Sequence, residues 1–441
     1  MDVGKIFIFS NKAETVKEAL IKSSAINLIA RGFGYFKNLS IAYLLGFSYQ
    51  TDAFFMALSL LGLFLIFADV FDSIGVPNLV KARMQNEEEF YKLSGLLFTF
   101  TIILSLTIGI IAFISYPIIK HIPFGFKEES LNYLKDAYFL LIPYLIFYFL
   151  FHHFGAVLRS VRRFTQFFIG EMIFSFFSFL FITLGLFFWK DYRVIPISFS
   201  IAQLLATLYM LIVGREFLHL KLYYDKTVSF ILKHFFYLSA LYGVFHIFNL
   251  INIAFSSTLG EKAVSALTYG LMIANIPKSV IRIEHMAITS LSEAENLMEK
   301  LKFYLKKTLQ LSLPISVFLF LSSYFWVKIL FHYGSFTEED VRLVSLAASF
   351  YALSLPFFFL WPILYRTFQV LNWLKPVFLV AIFGIFGNLI FNYLFVMVFK
   401  LGIPGICIAT FLSYSILCLV SYFMLKYRLG GKKNEQMSHM L

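Results

Sequence analysis

Apolar runs of roughly 20 to 28 residues recur along the chain, divided by short charged stretches, and each could cross a hydrocarbon core of about 30 Å as a helix. The pattern predicts about twelve transmembrane helices, beginning near Ile21, Asp52, Leu93, Leu131, Phe164, Val194, Val228, Ala263, Phe303, Val341, Leu374 and Gly402. Residues 1–20 do not read as a cleavable signal, because their apolar run is short and is interrupted by Lys12, Glu14 and Lys17. The first span is therefore expected to direct insertion.

Composition agrees with the pattern: 60% of residues are hydrophobic, 14% are charged, and the mean hydropathy is +0.80, values outside the range of water-soluble domains. Lys and Arg concentrate in alternate connections, as in Lys81, Arg83 and Lys92, then Arg159, Arg162 and Arg163, then Lys300, Lys302, Lys306 and Lys307. More flank the first and last spans, at Lys5, Lys12, Lys17 and Lys22 and at Lys426, Arg428, Lys432 and Lys433. By the positive-inside rule both termini are expected in the cytoplasm; the expected location is the cell's inner membrane. Much of the net charge of +12 is thus topology signal. Its scatter through short loops argues against a nucleic-acid partner. Cys407 and Cys418 read as buried thiols in the last span.

Three weak matches recur in the same order in the two halves. "LLGFSYQTDAFFMA" from Leu44 resembles "TLGEKAVSALTYGL" from Thr258, "GFKEES" at Gly125 resembles "SFTEED" at Ser335, and "VLRS" at Val157 resembles "LYRT" at Leu364. A duplication of six spans places both copies in the same orientation, about an axis along the membrane normal. The expected class is an all-α polytopic membrane protein with two pseudo-symmetric six-helix lobes, residues 1–220 and 221–430, and a polar cytoplasmic tail at 431–441. Such halves typically enclose a central cavity.

The first span, "SSAINLIARGFGYFKNLSIAYLLGF", carries Arg31 and Lys37 near mid-depth. On a helical projection Ser23, Ser24, Asn27, Arg31, Lys37 and Asn38 share one arc, opposite Ile29, Phe33, Phe36, Leu39 and Tyr43, which are expected to face lipid. An intramembrane cation costs about 2.5–3.5 kcal/mol on insertion scales. Three compensations are open: snorkelling of the long stems, an internal pair with Asp69, Asp72 or Glu171, or a wet cavity holding an anionic ligand. A phosphate about 4 Å away would return about 4 kcal/mol per charge pair at an effective dielectric near 20, so a phosphorylated substrate is the expected partner. Corresponding positions of the second half are Asn249 and Asn252 in the seventh span and Asn275, Lys278 and Arg282 in the eighth, where Pro277 would kink the helix. Gly32 and Gly34 are expected to allow close packing and hinge motion.

The run "ARGFGYFKNLSIAYLLGFSYQTDAFFMA" resembles the opening of the MurJ (MviN) lipid II flippases, and "VSALTYGLMIANIPKSV", "ILFHYGSFTEEDV" and "YRTFQVLNWLKPVFLVAI" resemble later segments of that family in order. The resemblance implies a two-lobed transporter of the MOP superfamily that moves an undecaprenyl-pyrophosphate-linked sugar between leaflets by alternating access, with Arg31 and Lys37 at cationic positions. It also shows departures. Asn38 stands where the family has Asp, no cavity Arg lies near Leu65, Leu271 and Met272 replace an Asp-Arg pair, and two further helices usual in the family do not follow the twelfth span. These departures leave another polyprenyl-linked glycan, such as an O-antigen or polysaccharide precursor, as the alternative cargo.

Asn388 and Asn392 lie one turn apart in the eleventh span and could offer oxygens to a cation, as an Asn/Asp pair does in some sodium-binding relatives. Without a carboxylate they read better as helix–helix hydrogen bonds. No cofactor is expected, coupling to membrane potential, Na+ or H+ stays open, and the expected state is a monomer among membrane lipids. A MATE-type exporter of cations would want acids where this first helix has bases. An enzyme is disfavoured because HExxH, GxSxG and P-loop motifs are absent, and His152 and His153 point about 100° apart on a helix.

Overall fold

The computed structural model describes residues 13–14, 16–70, 75–223, 246–281, 291, 294, 296–371 and 373–438, with isolated positions at 229, 233, 235 and 243. The described chain is helical: α1 (Val16–Leu44), α2 (Tyr49–Val70), α3 (Val76–Gln85), α4 (Glu87–Ile119), α5 (Glu128–Ser160), α6 (Phe164–Trp189), α7 (Val194–Val213), α8 (Ala263–Val280), α9 (Leu297–Phe331), α10 (Glu338–Ala352), α11 (Leu355–Val370), α12 (Leu374–Asn392) and α13 (Gly402–Ser438). Residues 246–256 are also helical.

Among the described residues eight helices are long and apolar enough to cross a membrane, and a ninth span is the pair α10–α11, bent by 46°. The other three expected spans have separate explanations. α1 is 29 residues long but carries Lys17, Glu18, Lys22, Arg31 and Lys37. The eighth contributes a shorter apolar stretch, Ala263–Ala274. The seventh lies mostly outside the described residues.

The bend in α10–α11 has a sequence cause. Pro356 sits in the first turn of α11, where its missing N–H costs nothing, but it could not continue the hydrogen-bond ladder of α10. α10 itself opens with a capping box: Thr337 Oγ1 accepts from the Asp340 N–H, and the Asp340 carboxylate accepts from the Thr337 N–H at 2.7 Å.

The residues cluster into two compact units. The first runs to His246, without Pro123–Gly125 but with Tyr333–Phe336; the second holds the remainder. In the first unit α5 packs against α2, α4 and α7, α6 packs against α7, and α1 lies on α6. In the second, α10 packs against α8, α9 and α13, and α12 packs against α13. The repeat read from short sequence matches thus reappears as a matching set of neighbours. Large buried rings fill both cores: Phe54, Tyr138, Phe149 and Phe154 in one, Tyr269, Phe331, Tyr351 and Phe359 in the other.

The matched motifs "GFKEES" and "SFTEED" mark where each unit takes in a short piece of distant chain. In the first unit Ser335 N donates to the Tyr43 carbonyl at 2.8 Å, Phe336 meets Phe47 edge-on at 5.0 Å, and Gly334 has φ +62°. In the second, Gly125 N donates to Ser257 Oγ at 3.1 Å and Phe124 meets Phe255 at 5.2 Å. Both docking points lie beside a glycine of positive φ, Gly46 and Gly260, which ends the preceding helix.

Candidate functional site

α1 of the first unit carries four expected ligand contacts. It packs on α6 through Phe33, whose ring centroid is 5.1 Å from that of Phe176, and through Ser40, whose Oγ accepts from Thr183 Oγ1 at 2.8 Å. Phe33 and Phe36 thus touch α6, yet Phe36 stays exposed together with Ile29 and Tyr43, in keeping with the side expected to face lipid. Ile26, Ala30 and Ile41 are buried, whereas Leu28, Ile29 and Tyr43 are exposed.

Six residues separate Arg31 from Lys37, which sets them about 120° apart around the axis. Arg31 is exposed, while Lys37 is half-buried on the packed side, and Asn27 and Asn38 are half-buried. The Lys37 ammonium lies over the ring of Phe199 on α7, 4.3 Å from its centroid, and 5.9 Å from that of Phe174 on α6. Among the described residues Lys37 pairs with no acid. The internal pairing proposed from sequence keeps Glu171 as a half-buried residue of α6; Asp72 and the Asp69 side chain lie outside the described residues. An aromatic face is thus the compensation on view, a fourth possibility that sequence reasoning missed. Phe174 stands beside Ser175 and Phe199 between Ser198 and Ser200, in spans rich in phenylalanine, where no local signal marks either ring as the partner of a charge.

In the second unit Asn249, Asn275 and Lys278 are half-buried, and Arg282 lies outside the described residues. α8 stays helical through Pro277. Asn252 is buried, and both ends of its amide are used: Nδ2 donates to Thr410 Oγ1 at 2.9 Å, and Oδ1 accepts from Asn392 Nδ2 at 3.1 Å. Asn392 Nδ2 also donates to the Asn388 carbonyl at 2.9 Å, and Asn388 Nδ2 to Ser413 Oγ at 3.4 Å. Asn252 therefore belongs with Asn388 and Asn392 in a buried polar cluster joining residues 246–256, α12 and α13. The Oδ1 atoms of Asn388 and Asn392 are buried without a hydrogen-bond partner among the described residues. The described residues hold no group of three or more His, Cys, Asp or Glu suited to a metal ion.

Nothing among the described residues lies within 4 Å of a Cβ built on Gly32 or Gly34, which overturns their expected role in close packing. Gly270 has that role instead, since a Cβ there would collide with Ala347 across the α8–α10 seam. Cys407 and Cys418 are free and buried, as expected. His152 and His153 are both buried, and their rings meet different neighbours, Tyr148 at 4.3 Å and Phe98 at 5.5 Å.

The family model described as lipid II flippase MurJ matches residues 41–441, a stretch that begins just after Asn27, Arg31, Lys37 and Asn38. A curated relative, "Probable lipid II flippase MurJ" of Buchnera aphidicola subsp. Schizaphis graminum, is 28% identical over 95% of this chain and 84% of its own. The solved structure titled "Lipid II flippase MurJ, inward closed conformation" superposes with a TM-score of 0.78 at 23% identity, over 92% of this chain and 87% of that one. An inward-facing multidrug-resistance MATE transporter of the MOP superfamily gives 0.65 at 15% identity, over 97% and 98%. The fold is that of an all-α polytopic membrane protein of the MOP type, and the chain belongs to the lipid II flippase MurJ family.

Proposed function

We propose that this chain is a transporter that moves a lipid II-like precursor, a saccharide on a polyprenyl pyrophosphate, from the inner to the outer leaflet by alternating access. The observation that carries the reading is the family match along residues 41–441. Arg31 and Lys37, two cations on α1, support it because an anionic headgroup would offset the cost of holding charge at the membrane depth expected for that helix. Asn27 and Asn38 on the same helix, and Asn249, Asn275, Lys278 and Arg282 in the second half, are secondary contacts. The distribution of Lys and Arg supports both termini in the cytoplasm, and the family match supports the inner membrane as the location. The reading needs no nucleic acid and no oligomer.

The polar cluster of Asn252, Asn388 and Asn392 is read as helix–helix bonding, since neutral oxygens without a carboxylate hold a monovalent cation weakly. Energy coupling is assigned to the membrane potential acting on the charged headgroup, so exchange of Na+ for K+ should leave transport unchanged. An O-antigen or polysaccharide precursor is the second cargo, favoured by Leu271 and Met272 on α8 in place of the family's Asp-Arg pair.

The test is complementation in cells depleted of their own lipid II flippase, with accumulated polyprenyl intermediates identified by mass spectrometry. Wild-type rescue, lost in Arg31→Ala, is the expected result. Failure to rescue, with accumulation of a different glycan lipid, would select the second cargo. Full rescue by Arg31→Ala with Lys37→Ala would remove both cations from the site.

A further inference from the structure

Lys37 has no carboxylate partner among the described residues, and its ammonium is turned against aromatic rings of α6 and α7. It rests at 4.3 Å from the centre of the Phe199 ring. That ring is itself fixed: Phe174 meets it at 5.7 Å and 79°, Tyr144 at 5.8 Å and 74°, and Phe54 at 5.4 Å and 65°. All three contacts are edge-to-face or nearly so, the geometry in which the electron-rich face of one ring meets the electropositive edge of another. Phe199 has a fractional exposure of 5%, so its plane cannot swing without disturbing α2, α5 and α6 together. The ring is a rigid platform on which the ammonium lies.

We propose that Phe199 is a positioning residue of the transport site: its face holds the Lys37 ammonium at membrane depth before the substrate arrives, oriented to take a pyrophosphate. The inference rests on the reading of Lys37 as an anion contact. An ammonium carries three N–H donors, and a ring covering one side leaves the others for phosphate oxygens. A preplaced cation spares the site the cost of ordering a long, flexible side chain as the ligand binds. With an aliphatic residue at 199 the ammonium keeps only the more distant Phe174 ring, 5.9 Å from its centroid, and the stem becomes freer to bend toward a headgroup region.

The experiment measures binding of undecaprenyl pyrophosphate to the purified full-length protein in detergent, for Phe199→Leu, Lys37→Met and the double variant Lys37→Met/Phe199→Leu. Cation–ring attraction of ordinary strength predicts roughly twofold to thirtyfold weaker binding for Phe199→Leu. In the Lys37→Met background Phe199→Leu should cause no further loss. Wild-type affinity in Phe199→Leu, or an equal loss with and without Lys37, would overturn the proposal by making Phe199 a packing residue only. Unchanged binding in Lys37→Met would overturn it in a different way, by showing that Lys37 does not meet the anion at all.

Discussion

Replacing Asn392 by Leu tests whether the polar cluster of the second unit is a structural joint. The Asn392 amide donates to Asn252 Oδ1 and to the Asn388 carbonyl, and both bonds are buried. Their loss costs about 2 kcal/mol, and depriving the buried Asn252 oxygen of this donor adds about 1–3 kcal/mol. Burial of the leucine side chain returns at most about 1.5–3 kcal/mol. The net destabilisation is then about 2 kcal/mol, or roughly 4–8 °C in melting temperature for a unit of this size. Thermal unfolding in detergent, followed by intrinsic fluorescence, measures it. The cycle with Asn252→Leu sharpens the test. Removing both partners leaves no Asn252–Asn392 pair to break, so the double variant should melt no lower than the worse single one. Strictly additive losses, or an Asn392→Leu protein that melts within 1 °C of wild type, would refute the joint.

Two further outcomes follow from the loops. Lys262 is pulled down by burial, but hydrogen bonds to Glu339 at 2.7 Å and to the buried Asp340 at 3.1 Å win, and its ammonium is held above the ordinary 10.5. A raised folded-state value means the pair contributes fully below the unfolded value and is lost as pH rises through the folded one. Lys262→Met should therefore melt lower than wild type at pH 7 to 9, with the gap closing above about pH 10.5. A gap that stays constant through pH 11 would contradict the assignment. Gly334→Ala places a side chain at φ +62° against the Tyr43 carbonyl, and should destabilise the first unit by more than about 1 kcal/mol. An unchanged melt would show that this docking point is loose.

Much of the fold was legible in one dimension, because in lipid a backbone must satisfy its own hydrogen bonds and so writes each crossing as a long apolar run. The repeat was legible too: Gly46 and Gly260, and the motifs at Gly125 and Ser335, mark turns and caps, whose chemistry is local and therefore visible in short stretches. Arg31 and Lys37 stood out for the same reason, since a charge inside an apolar run is costly wherever it points. Where each one points was beyond the sequence. Lys37 lies at the edge of the polar arc, and only the packing of α1 on α6 brought its ammonium over Phe199 of α7. The glycines show the same limit: no described residue comes within 4 Å of a Cβ on Gly32 or Gly34, while Gly270 makes the close seam, because a missing Cβ matters only when another helix arrives beside it. Asn252 read as a ligand contact and became half of a buried amide pair once Asn392, 140 residues later, met it. Helices and their ends are set by neighbours in sequence, whereas the partners of a buried charge or amide are chosen by neighbours in space.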